Sequence, residues 1–518
     1  MSKTESPVKN SRYSNKVTKY TFYIIMIISA GLITRFYFFP YDVPLTADAL
    51  YYFWYSSDII QLGRLPDNWT PGNNGWPIVV GIVFSFFDSE NIFSLMQIQR
   101  IFSVIVSISI TIPVYYLCKK FVSRKFALIG ASLIAFDPRL MINSFLGVTD
   151  PLFLLLSLCG LVVFLYSDKK TVYISFVLIA FATLVRTEGL AMFLVLSIMF
   201  FIKFRNEKYR TIPKFLLIVF IFGLILLPAS LYRMDVTGSD YIFQRGLTHA
   251  DKISSDLSDG SKSKINFLEG VELFGKYLVW VLIPNFIIFV PLGIFLIFKK
   301  LNTEKLTIIL SLGILSLPAL YGYSLSALDT RYLYVLFPMF AVLAALSIEK
   351  ISLKIPSKKI FVILIISTIL VSSIVMYQYL KIDYEHEKES FEIMKDVANF
   401  AQGINEFFIE SRYIPAIHTI NQWPTLYKNI DFKTSVIKYE ENDSLIEFIQ
   451  NSKEDGITHI ITDKNEKRPA FIQELFIEEE KYDFLEKIYD SKDKGFEYHV
   501  KVFKINFELL SLELEKKN

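Results

Sequence analysis

The sequence predicts a polytopic α-helical membrane protein of about eleven transmembrane helices with a smaller α/β domain at its C-terminal end. Three observations carry that reading. Hydrophobic residues fill 53% of the 518 positions and mean hydropathy is +0.40, more apolar surface than a water-soluble domain of ordinary composition can hide. Apolar windows of about 20 residues, the length a helix needs to cross the hydrocarbon core, recur along the first 380 positions. Every second connection between those windows is basic, which is the charge asymmetry of cytoplasmic loops.

In order along the chain, residues 1–19 form a basic tail without a small-residue cleavage site after it, so they read as a retained cytoplasmic segment and not a removed signal. The windows lie near 20–40, 93–117, 125–137, 149–167, 171–185, 187–204, 213–231, 276–298, 304–323, 332–349 and 358–380. The third and fifth are short, and "LVRTEG" after the fifth reads as an outer turn or a re-entrant kink. The basic set is the tail with Lys9, Arg12, Lys16 and Lys19, then "CKKFVSRK", "SDKK", "KFRNEKYRTIPK", "FKKLNTEK" and "EKISLKIPSKK". The alternate connections, including a first outer loop at 41–92 and an outer loop at 232–275, are poorer in Lys and Arg and richer in Asp, and are expected outside. An odd number of spans then places residues 381–518 outside as well. Within that segment "SLIEFIQNSKEDGITHIITD" reads as helix, Gly-containing turn and strand, and "FLEKIYDSKDKGFEYHVKVFKIN" as a strand pair.

Composition excludes several classes. A net charge of +3 does not suit a nucleic-acid partner. Two cysteines, Cys118 and Cys159, both in apolar runs, cannot build a disulfide framework. His386, His418, His459 and His499 are scattered, without metal-ligand spacing. A transporter would carry ionisable groups near the bilayer midplane and paired broken helices, whereas here the charges gather at span ends.

The stretch "LTADALYYFWYSSDIIQLGRLP" sets Asp48 before five consecutive rings, just after the first span. Tyr52, Tyr55, Ile59 and Leu62 recur at helical spacing until Gly63, so an interfacial helix is expected, with Asp48 as a first-turn acid. Asp42, Asp58 and Asp67 read as solvated loop charges. Asp137 in "IAFDPRLM" and Asp150 in "LGVTDPLFLLL" fall at the outer ends of spans. Thr149 or Asp150 would cap the fourth span, with Pro151 in its first turn. Arg186, with Glu188 two residues on, interrupts apolar sequence, and Arg331 opens the tenth span beside Asp329. Arg35, near the end of the first span, reads as a snorkelling cation. Carboxylates and guanidinium groups at one membrane face suit a site that handles a phosphate and a proton.

Taken together, "ITRFYFFPYDVPLTADALYYFWYSSDIIQLGRLP", "TDPLFLLL", "RTEGL" and "RYLYVLFP" resemble the GT-C fold glycosyltransferases, in particular the protein O-mannosyltransferases and aminoarabinose transferases, over roughly residues 20 to 350. The resemblance implies an enzyme that takes a sugar from a polyprenyl-phosphate donor and passes it, with inversion, to a protein, lipid or glycan acceptor outside the cytoplasm. It implies Asp48 as catalytic base, Arg186 and Arg331 on the donor phosphate, and Tyr52 and Trp54 on sugar or acceptor; some members of the fold hold a divalent cation at outer-loop acids, here Asp137 and Asp150, and others work without metal, so the cofactor stays open. An oligosaccharyltransferase would add a WWD-type motif in its soluble domain; the nearest Trp context here is "NQWPTLYKN". A non-catalytic receptor or assembly protein is the other alternative. Asn68-Trp69-Thr70 and Asn442-Asp443-Ser444 are sequons on the expected outer side.

Overall fold

A computed structural model describes residues 7–67, 69–87, 91–168, 170–206, 211–240, 266–299, 301–400, 444–453, 457–463 and 469–517. Most of the 232–275 loop, His418 and both sequon asparagines fall outside these residues. The chain divides into two compact units: residues 1–40, 48–88 and 97–381 form the larger, and residues 41–47, 89–96 and 382–518 the smaller.

Each of the eleven apolar windows contains helix, but 276–298 is divided between Phe267–Leu282 and Phe289–Phe298 by a turn segment, and 332–349 begins in a 3-10 segment. Six described helical spans have the length and apolarity to cross a membrane: Lys19–Tyr37, Ile92–Lys119, Thr211–Thr237, Thr303–Ser324, Thr330–Ser352 and Lys358–Leu380. A seventh is available if Arg124–Ala135 and Pro138–Leu146, bent by 47°, form one broken span. Reaching eleven would also require shorter apolar helices, such as Asp150–Tyr166, Val172–Val185 and Gly189–Lys203, to cross; at 1.5 Å per residue they are about 20–25 Å long, against a hydrocarbon core of about 30 Å.

Burial sorts the long helices. Thr330–Ser352 is central, with 78% of its apolar window buried, while Thr211–Thr237 and Lys358–Leu380 have only 22% buried and present Leu216, Phe220, Leu227, Leu364, Val371 and Val375 outward. An apolar residue left exposed on a membrane-length helix costs nothing in lipid, so these two faces are the belt and not a defect. Arg35, expected to snorkel, is instead buried at 1% exposure, where its Nη1 donates to the Ala135 and Gly31 carbonyls at 2.5 and 3.3 Å. It ties the first helix to Arg124–Ala135 because carbonyls at that helix's frayed C-terminal end lack an intrahelical partner.

In the smaller unit, three strands, β1 (His459–Asp463), β2 (Leu485–Asp490) and β3 (Val500–Ile505), form an antiparallel sheet of order β1-β3-β2. The helix Leu445–Asn451 precedes β1, started by a capping box between Ser444 and Glu447. These are the helix, strand and strand pair the sequence pattern predicts. Asp42 belongs to this unit and pairs with Lys388 at 2.7 Å.

His459 on β1 is 2% exposed, and burial together with the Lys504 charge pushes its imidazole down from 6.5 to about 4. The unfolded chain therefore takes up a proton below pH 6.5 that the folded unit refuses until about pH 4, so stability is lost as pH falls through that window. Denaturation followed at pH 7, 6, 5 and 4 is expected to show this unit weakening progressively, and His459→Gln is expected to flatten the dependence.

Candidate active site

The site is assembled at helix ends within the larger unit. Gly147, in the left-handed region at φ 74°, closes Pro138–Leu146 and lets the chain reverse within a few residues into Asp150–Tyr166. Thr149 stands at the N-cap without a side-chain cap bond, and Asp150 is the first helical residue. Asp150 therefore does not cap the helix: its Oδ1 accepts from Arg186 Nη1 at 2.6 Å. Arg186 sits in extended backbone (φ −150°, ψ 134°) where Val172–Val185 ends, in the "LVRTEG" turn before Gly189–Lys203.

Arg186 is heavily committed. Its Nε and Nη2 donate to Glu188 Oε1 at 3.2 and 2.6 Å, and Nη1 also reaches Thr149 Oγ1 at 3.5 Å. Burial alone would lower its pKa, but Asp150 and Glu188 more than offset that and hold the guanidinium charged. Asp150 Oδ2 is buried without a hydrogen-bond partner among the described residues.

Arg331 is less committed. Asp329 caps the short 3-10 segment Thr330–Leu336, accepting from the Arg331 backbone N–H at 2.8 Å and from its Nε at 2.7 Å. Its Nη2 lies 3.9 Å from Asp48 Oδ2, an ion pair beyond hydrogen-bond length. Asp48 occupies the first turn of Ala47–Leu62 with its side chain 66% exposed. Asp150, Arg186, Glu188, Arg331, Tyr332 and Tyr334 line one cavity whose remaining wall is apolar, from Phe153, Leu315 and Pro318. Its volume is about 20 Å³, close to what one water needs.

Tyr52 stands among the same charges. Burial first and the Asp48 carboxylate second push its phenol up to about 12, with Arg186 and Asn73 opposing and Asp150 adding to the shift. It keeps its proton at neutral pH.

The segment after the first helix is fixed around the site by buried polar contacts. Gln99 Nε2 donates to both the Ala49 and Gly147 carbonyls, at 3.0 and 2.8 Å, and so clamps the turn bearing Asp48 against the turn leading to Asp150. A Cβ at Gly75 would come within 2.7 Å of the Leu184 backbone, a close approach only glycine allows beside Arg186. Trp76 Nε1 donates to the Gly147 carbonyl at 3.0 Å, and Arg233 Nη2 to Asn74 Oδ1 at 2.5 Å.

Several sequence expectations are corrected. Trp54 is buried at 3% exposure against Phe53 and does not line the cavity. Its helix also buries Ala49, Leu50, Phe53, Tyr55, Ser56 and Ser57, so it packs into the protein and does not merely rest at the interface. Asp58 is not a solvated charge: its Oδ2 accepts from Trp69 Nε1 at 2.8 Å, and burial raises its pKa. Asp67 is 67% exposed beside Arg64, as expected. Asp137, 1% exposed, spends Oδ1 capping Pro138–Leu146 through the Arg139 and Leu140 N–H groups and does not line the cavity. Among the described residues no three His, Cys, Asp or Glu side chains converge as a metal site. Sequence reasoning did not assign Glu188 or Asp329 a place in the site, although each lies two residues from its arginine. Gln99 carried no local signal.

Comparison with known proteins gives fold and little else. No family model and no curated protein matches the chain. Among solved structures it is similar to the oligosaccharyltransferase of Archaeoglobus fulgidus with zinc and sulfate, at TM-score 0.58 and 12% identity, covering 85% of this chain and 68% of that one. The oligosaccharyltransferase AglB from Archaeoglobus fulgidus, bound to an inhibitory peptide and a dolichol-phosphate, matches at TM-score 0.55 and 12% identity over 86% and 70%. ArnT from Cupriavidus metallidurans bound to undecaprenyl phosphate matches at TM-score 0.57 and 9% identity over 93% and 98%. The chain is a membrane protein with the GT-C fold, as its sequence resemblance implies.

Proposed function

We propose that this protein is an integral membrane glycosyltransferase that moves a sugar from a polyprenyl-phosphate carrier to an acceptor hydroxyl on the extracytoplasmic face, with inversion. The observation that carries the reading is the Asp48 to Arg331 pair at 3.9 Å, which puts a carboxylate beside an underused guanidinium that lines the cavity, although Asp48 itself is not among the lining residues. The GT-C fold and structural neighbours bound to a dolichol-phosphate and to undecaprenyl phosphate support it.

Arg331 is the principal phosphate anchor. A guanidinium has five N–H donors. Arg331 spends Nε on Asp329, whereas Arg186 spends Nε, Nη1 and Nη2 on Asp150 and Glu188. Arg186 therefore acts chiefly by orienting Asp150, whose open Oδ2 accepts from a sugar hydroxyl. Four carboxylates, Asp48, Asp150, Glu188 and Asp329, surround these two cations, and an incoming phosphate competes with them for the guanidinium charge. Asp48 has the longest contact and yields first.

That exchange supplies the mechanism. The phosphate takes the Arg331 Nη groups, and the sugar enters between Arg331 and Asp48, enlarging a cavity that otherwise admits one water. Asp48, released from its cation, accepts the acceptor hydroxyl's proton as that oxygen attacks the anomeric carbon. The glycosidic bond to phosphate breaks on the opposite face, and Arg331 stabilises the charge that accumulates on the leaving phosphate.

Transfer from a synthetic polyprenyl-phosphate sugar by purified protein tests this reading. Arg331→Lys, which keeps charge but loses the planar fork, is expected to raise the donor KM by tenfold or more. No transfer by the unmodified protein with any such donor would favour a receptor. Gln99→Leu is expected to lower kcat by about 100-fold at nearly unchanged donor KM, because releasing the Ala49 clamp misplaces Asp48 by a fraction of its working distance.

A further inference from the structure

Three of the six basic connections, the tail, "CKKFVSRK" and "EKISLKIPSKK", meet at one cleft of the same helical unit. Lys19, Arg124, Lys125, Lys350, Lys358 and Lys359 line a cleft of about 1420 Å³, opposed there by one carboxylate, Glu349. Glu349 is itself engaged, accepting the Ser123 backbone N–H at 3.0 Å. The central helix sets the separation from the candidate active site. Phe337 follows the segment that bears Arg331, and Lys350 lies 13 residues further along, about 20 Å at 1.5 Å per residue.

The cleft is amphipathic along its depth. Its floor is Ile27, Leu128, Leu346 and Val362, contributed by Pro7–Tyr37, Arg124–Ala135, Phe337–Ser352 and Lys358–Leu380, and its open side carries Met26 and Ile363, 53% and 54% exposed. Its volume exceeds the range of about 300–1,000 Å³ typical of small-molecule sites. Cations at the rim over an apolar channel between helices match a molecule with an anionic head and long hydrocarbon chains.

We propose that this cleft is a binding site for an anionic phospholipid of the leaflet next to the basic connections, its phosphate held by Lys125, Lys358 and Lys359 and its acyl chains lying between the first helix and Lys358–Leu380. Charge complementarity selects the head, and the apolar floor selects a lipid over a free anion. The chemistry at the other end of the unit does not use this cleft.

The test is native mass spectrometry of the purified full-length chain titrated with phosphatidylglycerol or with phosphatidylcholine. One phosphatidylglycerol per chain is expected to be retained, at least tenfold more than phosphatidylcholine. The variant Lys125→Gln/Lys358→Gln/Lys359→Gln, at exposed positions, is expected to lose that preference. Ile363→Trp, which fills the channel without altering charge, is expected to lose the bound lipid. Equal retention of the two lipids, undiminished phosphatidylglycerol in either variant, or its displacement by inorganic phosphate would overturn the proposal.

Discussion

Asp48→Asn is expected to lower kcat for sugar transfer by about 10²–10⁴-fold, the usual contribution of a positioned general base, with the donor KM changed little. The asymmetry follows from geometry. Asn keeps the shape of the first turn of Ala47–Leu62, and Arg331 retains Asp329 to orient it, so the phosphate anchor survives. What is lost is the proton acceptor. Removing Asp48 also removes a competitor for Arg331, paired with it at 3.9 Å, so the donor is expected to bind slightly more tightly to Asp48→Asn. A steady-state comparison of kcat and KM for the two proteins checks both statements. Equal kcat values would remove Asp48 from the chemistry.

Arg186→Ala is expected to cost stability before it costs anything else, by about 3–5 kcal/mol, as for breaking a buried ion pair from one side. Asp150 and Glu188 side chains are only 7% and 24% exposed, and both are held by this guanidinium at 2.6 Å. Without it two carboxylates face each other in an enclosed place, so one must take up a proton or the turn must open. The double variant Arg186→Ala/Asp150→Asn removes one of those charges and is expected to recover part of the loss. Thermal unfolding in detergent measures both. A single variant as stable as the unmodified protein would show that the triad does not hold the turn together.

The sequence made the helices legible because apolar length and flanking charge act locally, although the window at 276–298 hid a break between Phe267–Leu282 and Phe289–Phe298. It made the smaller sheet legible for the same reason, through alternation around Gly456 and Gly495. The site was legible in part. Asp48, Asp150, Arg186 and Arg331 declared themselves because ionisable groups at span ends require partners, and the structure supplies those partners from one another. Other residues depend on distant contacts that no local pattern encodes. Arg35 looks like a snorkelling cation until Ala135, 100 positions away, presents a carbonyl to it. Trp54 suits a wet interface and a packed core equally well, and only the fold decides for the core. Gln99 is one polar side chain in an apolar run, and its meaning lies in two carbonyls that are each about 50 residues distant.

The arrangement of one carboxylate opposite one phosphate anchor commits the reaction to a single in-line displacement. The measurement that tests this most directly is the anomeric configuration of the product, determined by NMR after the purified protein has acted on a polyprenyl-phosphate sugar of known configuration. Inversion at the anomeric carbon, with product formed far more slowly by Asp48→Asn, is the expected result. A product that keeps the donor's configuration would contradict the account, because it requires a second displacement for which Asp48 and Arg331 provide no place.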